Sequence, residues 1–380
     1  MYKNRKINIL EILNKKSCFL LGPRQTGKSS LIRNELAGYK VFNLLDSEVF
    51  LNISSNLSNL RKALTKEDKI VIIDEIQKLP ELLDEIHLLI EEKKINFLLT
   101  GSSARKLRKA GVNLLGGRAK RRYLHPFIYH EVIDQFDLNK VLKFGLIPSI
   151  FNSDDPHDDL SSYVGEYIQQ EIVAESLIKK IPAFSRFLEV SALCSGQIIN
   201  YANIANDAQV PATTVQEYFQ ILRDTLIGSD LPVWKGSVKR KPISTSKFYF
   251  FDVGVVNFIT KRKISNERTA EYGVAFEHFI YHELRAYADY NNLSDALFYW
   301  RSSSGYEVDF ILNDLVAIEV KSKTNIGKKD LKGIKALMEE KKLKYYIVVA
   351  QIPFPIVDGG IEILPWNIFL DKLWANQFVK

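Results

Sequence analysis

Cysteine is nearly absent: the 380 residues include two, Cys18 and Cys194, far apart in sequence. That excludes a disulfide framework and any zinc site built on paired cysteines, and it suits a reduced, cytoplasmic setting. No apolar run approaches the roughly 18 residues of a spanning helix, so no membrane partner is expected. The opening residues, Met1-Tyr-Lys-Asn-Arg-Lys6, are basic but lack the apolar core of a secretory leader. Internal repeats and low-complexity tracts are missing too. What is present is ordinary for a globular chain: 46% hydrophobic residues, enough for more than one core, over a length that suggests two or three domains. The formal charge of +7 is compatible with a polyanionic partner without naming one.

The strongest local signal is Ser17-Cys-Phe-Leu-Leu-Gly-Pro-Arg-Gln-Thr-Gly-Lys-Ser29. A short apolar run reads as a buried strand, and helical spacing resumes from Ser30 through Leu36. Strand, glycine loop and helix start come in the order that a phosphate cradle needs. Gly22, Pro23, Arg24, Gln25, Thr26, Gly27, Lys28, Ser29 and Ser30 are therefore the candidate nucleotide-binding residues. Lys28 is placed for the β- and γ-phosphates and Ser29 for Mg²⁺. Next, Ile70-Val-Ile-Ile-Asp74-Glu75 is a buried strand ending in two acids and resembles a Walker B element. Asp74 would hold Mg²⁺ and Glu75 would polarise the attacking water. Asn96-Phe-Leu-Leu-Thr100-Gly-Ser102 is a third buried strand, whose terminal hydroxyls, Thr100 or Ser102, suit a γ-phosphate sensor or a plain strand-end turn. Alternating strands and helices imply a parallel sheet with the site at its carboxyl edge. Two basic stretches follow, Arg105–Lys109 and Arg118–Arg122. Arg118, in a Gly-Gly-Arg turn, is a candidate arginine finger in cis or toward a neighbouring subunit, or else a solvated basic residue.

These motifs together resemble one family, the bacterial and archaeal AAA-type P-loop ATPases that carry a C-terminal DUF4143 domain. The matching residues are Gly22–Lys28, Asp74-Glu-Ile-Gln-Lys78-Leu-Pro80, Leu99–Ala104, Leu115-Gly-Gly-Arg-Ala119, His125-Pro-Phe127 with Glu131, and Lys247-Phe-Tyr-Phe-Phe-Asp-Val-Gly254. The resemblance covers nearly the whole length and implies ATP binding and hydrolysis, while leaving the substrate of the remainder open.

Residues 143–148 and the Asp/Ser/Pro stretch 152–159 read as a linker. Helices are expected over 160–180, 184–195 and 198–206, and from Pro211, with Val215, Tyr218, Phe219, Leu222 and Leu226 facing a core. With Lys235–Lys241 behind them they look like a winged helix, with Thr213, Thr214, Gln216 and Gln220 exposed and Lys239, Arg240 and Lys241 on the wing. A packing module between domains is the competing reading. Further on, Glu307-Val-Asp309-Phe-Ile-Leu-Asn-Asp-Leu-Val-Ala-Ile-Glu319-Val-Lys321 alternates as a hairpin about Asn313-Asp314. With Glu277 on a preceding helix it resembles the PD-(D/E)xK nuclease core, Val308 replacing the proline. Glu277, Asp309 and Glu319 would be metal ligands for Mg²⁺ or Mn²⁺, Lys321 would be catalytic, and Lys323 and Gln351 accessory.

The expected architecture is α/β in three parts: a parallel-sheet P-loop ATPase domain over 1–135, a linker and winged helix over 136–240, and a restriction-endonuclease-like α/β domain over 241–380. The expected function is a Mg²⁺-dependent ATPase that acts on or signals through nucleic acid, DNA or RNA, with a homo-oligomer compatible. The alternative is an ATP-controlled regulatory switch, or a DNA- or protein-binding module, with an inert nuclease-like domain.

Overall fold

The computed structural model describes residues 2–103, 115–168, 181–265, 269–293 and 296–378. The basic stretch 105–109 and residues 169–180 of the expected 160–180 helix lie outside them. Five parallel strands form the first sheet: β1 (Ser17–Leu21), β2 (Lys40–Asn43), β3 (Ile70–Asp74), β4 (Asn96–Gly101) and β5 (Ala119–Tyr123). Their order is β2-β3-β4-β1-β5. Every residue of β1 and β3 is buried, as parallel strands covered on both faces must be. The order reverses beside β1, and the crevice at the carboxyl end of such a switch is where an open α/β sheet takes its ligand.

The middle unit packs helices Ile181–Leu193, Tyr201–Ala208 and Ala212–Asp224 against a small antiparallel sheet of β6 (Gln197–Ile198), β7 (Gly228–Leu231) and β8 (Lys247–Phe250). The sheet order is β6-β8-β7, so its central strand comes from beyond residue 240, the boundary expected from sequence. Phe219, Phe248, Phe250, Val255 and Val256 share one core.

The expected linker is instead structured. Leu138–Phe144, Pro148–Phe151 and Pro156–Ser162 are helices, and Val141, Leu142, Ile147 and Ile150 are fully buried. Its Pro and Asp residues are helix-start signals rather than tether composition: Asp155 caps the helix that Pro156 opens.

The third sheet has six strands: β9 (Leu297–Arg301), β10 (Glu307–Leu312), β11 (Val316–Lys321), β12 (Tyr345–Ala350), β13 (Ile356–Asp358) and β14 (Ile361–Pro365). Their order is β13-β14-β12-β11-β10-β9, antiparallel through β9, β10 and β11, then parallel at β12 and β14. Asn313 and Asp314 both have φ 53° and, with Leu315, make the turn of the hairpin expected between β10 and β11, in which Leu312 pairs with Val316.

The helix Ala270–Tyr290 covers this sheet and fastens all three units. The His278 ring contacts the carbonyl of Phe250 at 2.7 Å, and that of His282 the carbonyl of Phe127 at 2.8 Å. Glu283 accepts the backbone N–H of Tyr129 at 2.6 Å, and Asp289 pairs with His125 at 2.6 Å.

The segment between β7 and β8 is captured by the third sheet rather than extended into solvent. Val233 bridges to Tyr299 and Pro242 to Ser302, which covers the open edge of β9. Glu340 accepts the backbone N–H groups of Val238, Lys239 and Arg240.

Candidate nucleotide site and the C-terminal acid cluster

The phosphate loop follows β1 directly. A Cβ at Gly22 would sit 2.4 Å from the carbonyl oxygen of Leu124, so the chain needs glycine there. Gly27 has φ 95°, the left-handed region, and caps the helix Lys28–Glu35. Lys28 is buried, and its ammonium donates to the carbonyls of Gly22 and Pro23 at 2.7 and 2.9 Å. Burial pulls its pKa down to about 8, against the attraction of Glu75 and Asp74.

Ser29 donates to Asp74 at 3.0 Å. Thr100 donates to the other carboxylate oxygen of Asp74 and accepts the backbone N–H of Glu75 at 3.2 Å. Hydroxyl and carboxylate side by side are a donor set for a hard cation, so the residues present fit Mg²⁺. Of the two sensor candidates, Thr100 touches Asp74, while Ser102 accepts from Gln77 at 3.3 Å. Glu75 itself is left-handed, with φ 62°, and its carboxylate accepts from the amide of Gln77. A cavity of about 570 Å³ lies over these groups, lined by Arg24, Gln25, Gly27, Lys28, Ser29, Ser30 and Glu75 from the first unit and by Pro148, Ser149 and Asn152 from the helix that follows it. Thr26 faces inward, donating to the carbonyl of Pro23 at 2.8 Å.

Arg118 does not reach this cavity. It pairs with Glu91, and it precedes Ala119, whose partner in β1 is Ser17, so it stands at the amino end of the sheet. The phosphate loop leaves the carboxyl end, about 16 Å away at ~3.3 Å per strand residue. The expected role in cis is therefore corrected.

Sequence reasoning missed Arg5. Its side chain is 2% exposed and pairs with Glu131 at 3.0 Å. It also donates to the carbonyls of Thr26 and His125, both at 2.7 Å, and lies 3.4 Å from the hydroxyl of Tyr290. It thus ties the phosphate loop to the long C-terminal helix. Nothing in the basic start of the chain marks this residue out, although Glu131 was already singled out as an acid in the pattern.

In the third unit, Glu277, Asp309, Glu319 and Lys321 do converge with one another electrostatically. Burial first, and then the charge of Asp309, raises the Glu277 pKa to about 7 and the Glu319 pKa to about 8. The charges are offset by lysines, however. Lys321 lies 2.5 Å from Glu319, and the buried Lys247, from β8 of the middle unit, lies 2.6 Å from Glu307 and 3.8 Å from Glu277. Tyr249 donates to Glu277 at 2.6 Å, and Asp309 accepts the backbone N–H of Val320 at 2.8 Å. Among the described residues no three His, Cys, Asp or Glu side chains are gathered closely enough to hold a metal ion. The expected Mg²⁺ or Mn²⁺ site at Glu277, Asp309 and Glu319 is corrected on that ground, because ammonium groups already stand among the carboxylates. Gln351 donates to Tyr272 at 3.0 Å and Lys323 pairs with Asp330, so neither expected accessory residue points its polar group into the cluster.

On the presumed recognition helix, Thr213, Gln216 and Gln220 are exposed and Thr214 half-buried. Arg240 on the presumed wing pairs with Glu339 and donates to the carbonyl of Ala336 at 2.9 Å.

The parallel sheet and the loop geometry define a P-loop α/β domain. Residues 14–133 match a family model described as an AAA domain, residues 135–266 a domain of unknown function (DUF8612), and residues 272–369 a domain of unknown function (DUF4143). The chain therefore carries an N-terminal AAA domain and a C-terminal DUF4143 domain. It is 26% identical over 299 residues to the uncharacterised proteins Rv2008c of Mycobacterium tuberculosis and Mb2031c of Mycobacterium bovis, an overlap of 76% of this chain and 66% of theirs. It thus spans just under two thirds of the length of these relatives. Among solved structures, domain III of the Thermotoga maritima replication initiation protein DnaA is 14% identical with a TM-score of 0.24, over 57% of this chain and 88% of that one. Drosophila ORC bound to AT-rich DNA and Cdc6 is 12% identical with a TM-score of 0.23, over 67% and 88%. These likenesses are too slight to bear on the chemistry of this chain. No helix among the described residues is long and apolar enough to cross a membrane.

Proposed function

We propose that the chain is a Mg²⁺-dependent ATPase whose first unit switches the state of the other two. The observation that carries this is the contact of Ser29 with Asp74 beside the buried ammonium of Lys28. Ser29 and Asp74 would hold Mg²⁺, which supplies charge neutralisation at the β- and γ-phosphates. The loop N–H groups and Lys28 bind and orient the phosphates. Glu75, fixed by Gln77 and by its own backbone N–H on Thr100, takes the proton of the attacking water. Arg118, at the far end of the sheet, is available only to a neighbouring subunit. Steady-state phosphate release tests the reading: Lys28→Ala is expected to abolish turnover and weaken ATP binding, and undiminished turnover in that variant would remove the assignment.

The second and third units are read as a winged helix and a PD-(D/E)xK-like domain. Three helices interleaved with a β6-β8-β7 sheet support the first. A helix, three antiparallel strands, a helix over Lys332–Met338 and a parallel strand, in that order, support the second. Lys247 and Lys321 among the acids favour the inert form of that domain, so ATP state would be signalled to nucleic acid rather than spent on cleaving it. A divalent-dependent cleavage assay on single- and double-stranded DNA and RNA, with and without ATP, separates the two: strand scission lost in Asp309→Ala would restore the nuclease.

A further inference from the structure

The backbone of the presumed wing is fastened to the third unit through Glu340, and a second set of exposed lysines lies elsewhere. A groove of about 560 Å³ runs between the helices Leu138–Phe144, Pro156–Ser162 and Val253–Thr260. Its floor is apolar, from Phe144, Leu160, Phe258 and Ile264, and its rim carries Lys143, Lys261, Arg262 and Lys263. Among the described residues that line it there is no carboxylate. Lys143, Lys261 and Lys263 are exposed and form no ion pair among the described residues. Arg262 is the fixed cation of the four, donating to the carbonyl of Leu193 at 3.2 Å. Phe258 is half-buried, with the exposed ring of His157 set edge-on to it at 5.6 Å between centroids.

We infer that this groove binds single-stranded nucleic acid, its phosphates along the lysine rim and a base on the face of Phe258. Unpaired cations beside an aromatic floor are the arrangement that tracks a strand without reading its sequence. Charge selects a polyanion, and the apolar floor selects unstacked bases over the closed backbone surface of a duplex. Asn257 connects the groove to the rest of the molecule. Its amide donates to the carbonyl of Leu142 at 2.7 Å, and the helix that presents Lys143 leads through Leu146 into Pro148 and Ser149 on the rim of the nucleotide cavity. The inference rests on the reading that the chain engages nucleic acid.

The test is binding of short fluorescent oligothymidylate and oligouridylate to the full chain across a salt series. Lys143→Ala/Lys261→Ala/Lys263→Ala should lower the slope of log K against log salt by about 2, from three contacts at ~0.7 each. Phe258→Leu, which keeps the floor apolar, should weaken binding about 5- to 150-fold. Both variants should keep wild-type ATP turnover, which shows that they are folded. Wild-type binding with the triple variant unchanged would overturn the groove and leave the broader nucleic-acid reading standing. Loss in Lys239→Ala/Lys241→Ala instead would move the site to the wing. Thymidine monophosphate competing as well as the oligomer would overturn a strand as the occupant. If the wild type binds no strand, with or without ATP, both this inference and the nucleic-acid reading fall.

Discussion

Glu75 sits in a backbone conformation that non-glycine residues seldom adopt, at φ 62°. Such a residue persists where its surroundings determine it, and the cost of order 1 kcal/mol is met by the contacts that aim its side chain. Here the backbone N–H is held on Thr100 and the carboxylate on Gln77. Replacing Glu75 by Gln keeps the shape and removes the base. ATP should still bind, by fluorescence with a labelled analogue, while phosphate release slows roughly 10²- to 10⁴-fold. Near-wild-type turnover would place the base elsewhere. Arg5 invites a different test. It is buried with Glu131, and truncating one partner of such a pair costs about 3–5 kcal/mol because the other charge is left without compensation. Arg5→Ala should lower the thermal midpoint and raise the apparent KM for ATP, since the carbonyl of Thr26 loses its anchor. Lysine should restore neither, because one ammonium cannot span Glu131 and the carbonyls of Thr26 and His125 with the fork of a guanidinium.

The helix Ala270–Tyr290 is the element on which the molecule closes, and its two buried histidines make that measurable. His282 is held neutral: burial first, and then the neighbouring His125, lowers its pKa to about 3 from 6.5. Between those values the unfolded chain binds the extra proton, so stability from this group is present above pH 6.5 and is lost as pH falls toward 3. His282→Gln keeps a donor for the carbonyl of Phe127 without a titrating ring. The stability of the wild type relative to this variant, from urea midpoints, should therefore fall by up to ~1.4 kcal/mol per pH unit across that window. A difference that does not change with pH would mean that the ring takes up its proton in the folded state as readily as in the unfolded chain. The helix itself was legible in the sequence, as were the buried strands β1, β3 and β4 and the β10–β11 hairpin, because each writes its burial into a local pattern. The segment 143–159 was not, because Pro and Asp serve equally at turns and at helix starts. The run Lys247–Gly254 was recognisable as a motif but not as a set of jobs. Those jobs depend on distant partners: Asp252 caps the next helix and accepts the N–H of Leu146 at 2.8 Å, and a Cβ at Gly254 would strike the carbonyl of Phe144 at 2.1 Å. The same limit hid Arg5, all of whose partners are at least 21 residues away.

At the scale of the whole molecule, Lys247 joins what the sequence divides. It belongs to the central strand of the middle sheet, yet its ammonium lies among acids of the third unit. Burial alone would pull its pKa down, but Glu277, Asp309 and Glu307 together carry it above its ordinary value, so it stays charged. Two consequences separate this arrangement from a metal site into which the side chain happens to lean. First, the wild type should gain no thermal stability from Mn²⁺ at concentrations that leave ATP-free protein otherwise unaffected, because an ammonium already offsets the carboxylates. Second, Lys247→Ala should be destabilised, by the ~3–5 kcal/mol of a broken buried pair, and should then be partly rescued by Mn²⁺, which can enter where the ammonium was. Adding Glu277→Gln to that variant removes one of the charges that would attract the ion and should reduce the rescue. Thermal midpoints of the three proteins with and without Mn²⁺ decide the matter. If the wild type is itself stabilised by Mn²⁺ as strongly as Lys247→Ala, the lysine does not hold the cation position. The acids of Glu277, Asp309 and Glu319 would then have to move together around an ion, and the junction between the middle and third units would have to open to let them.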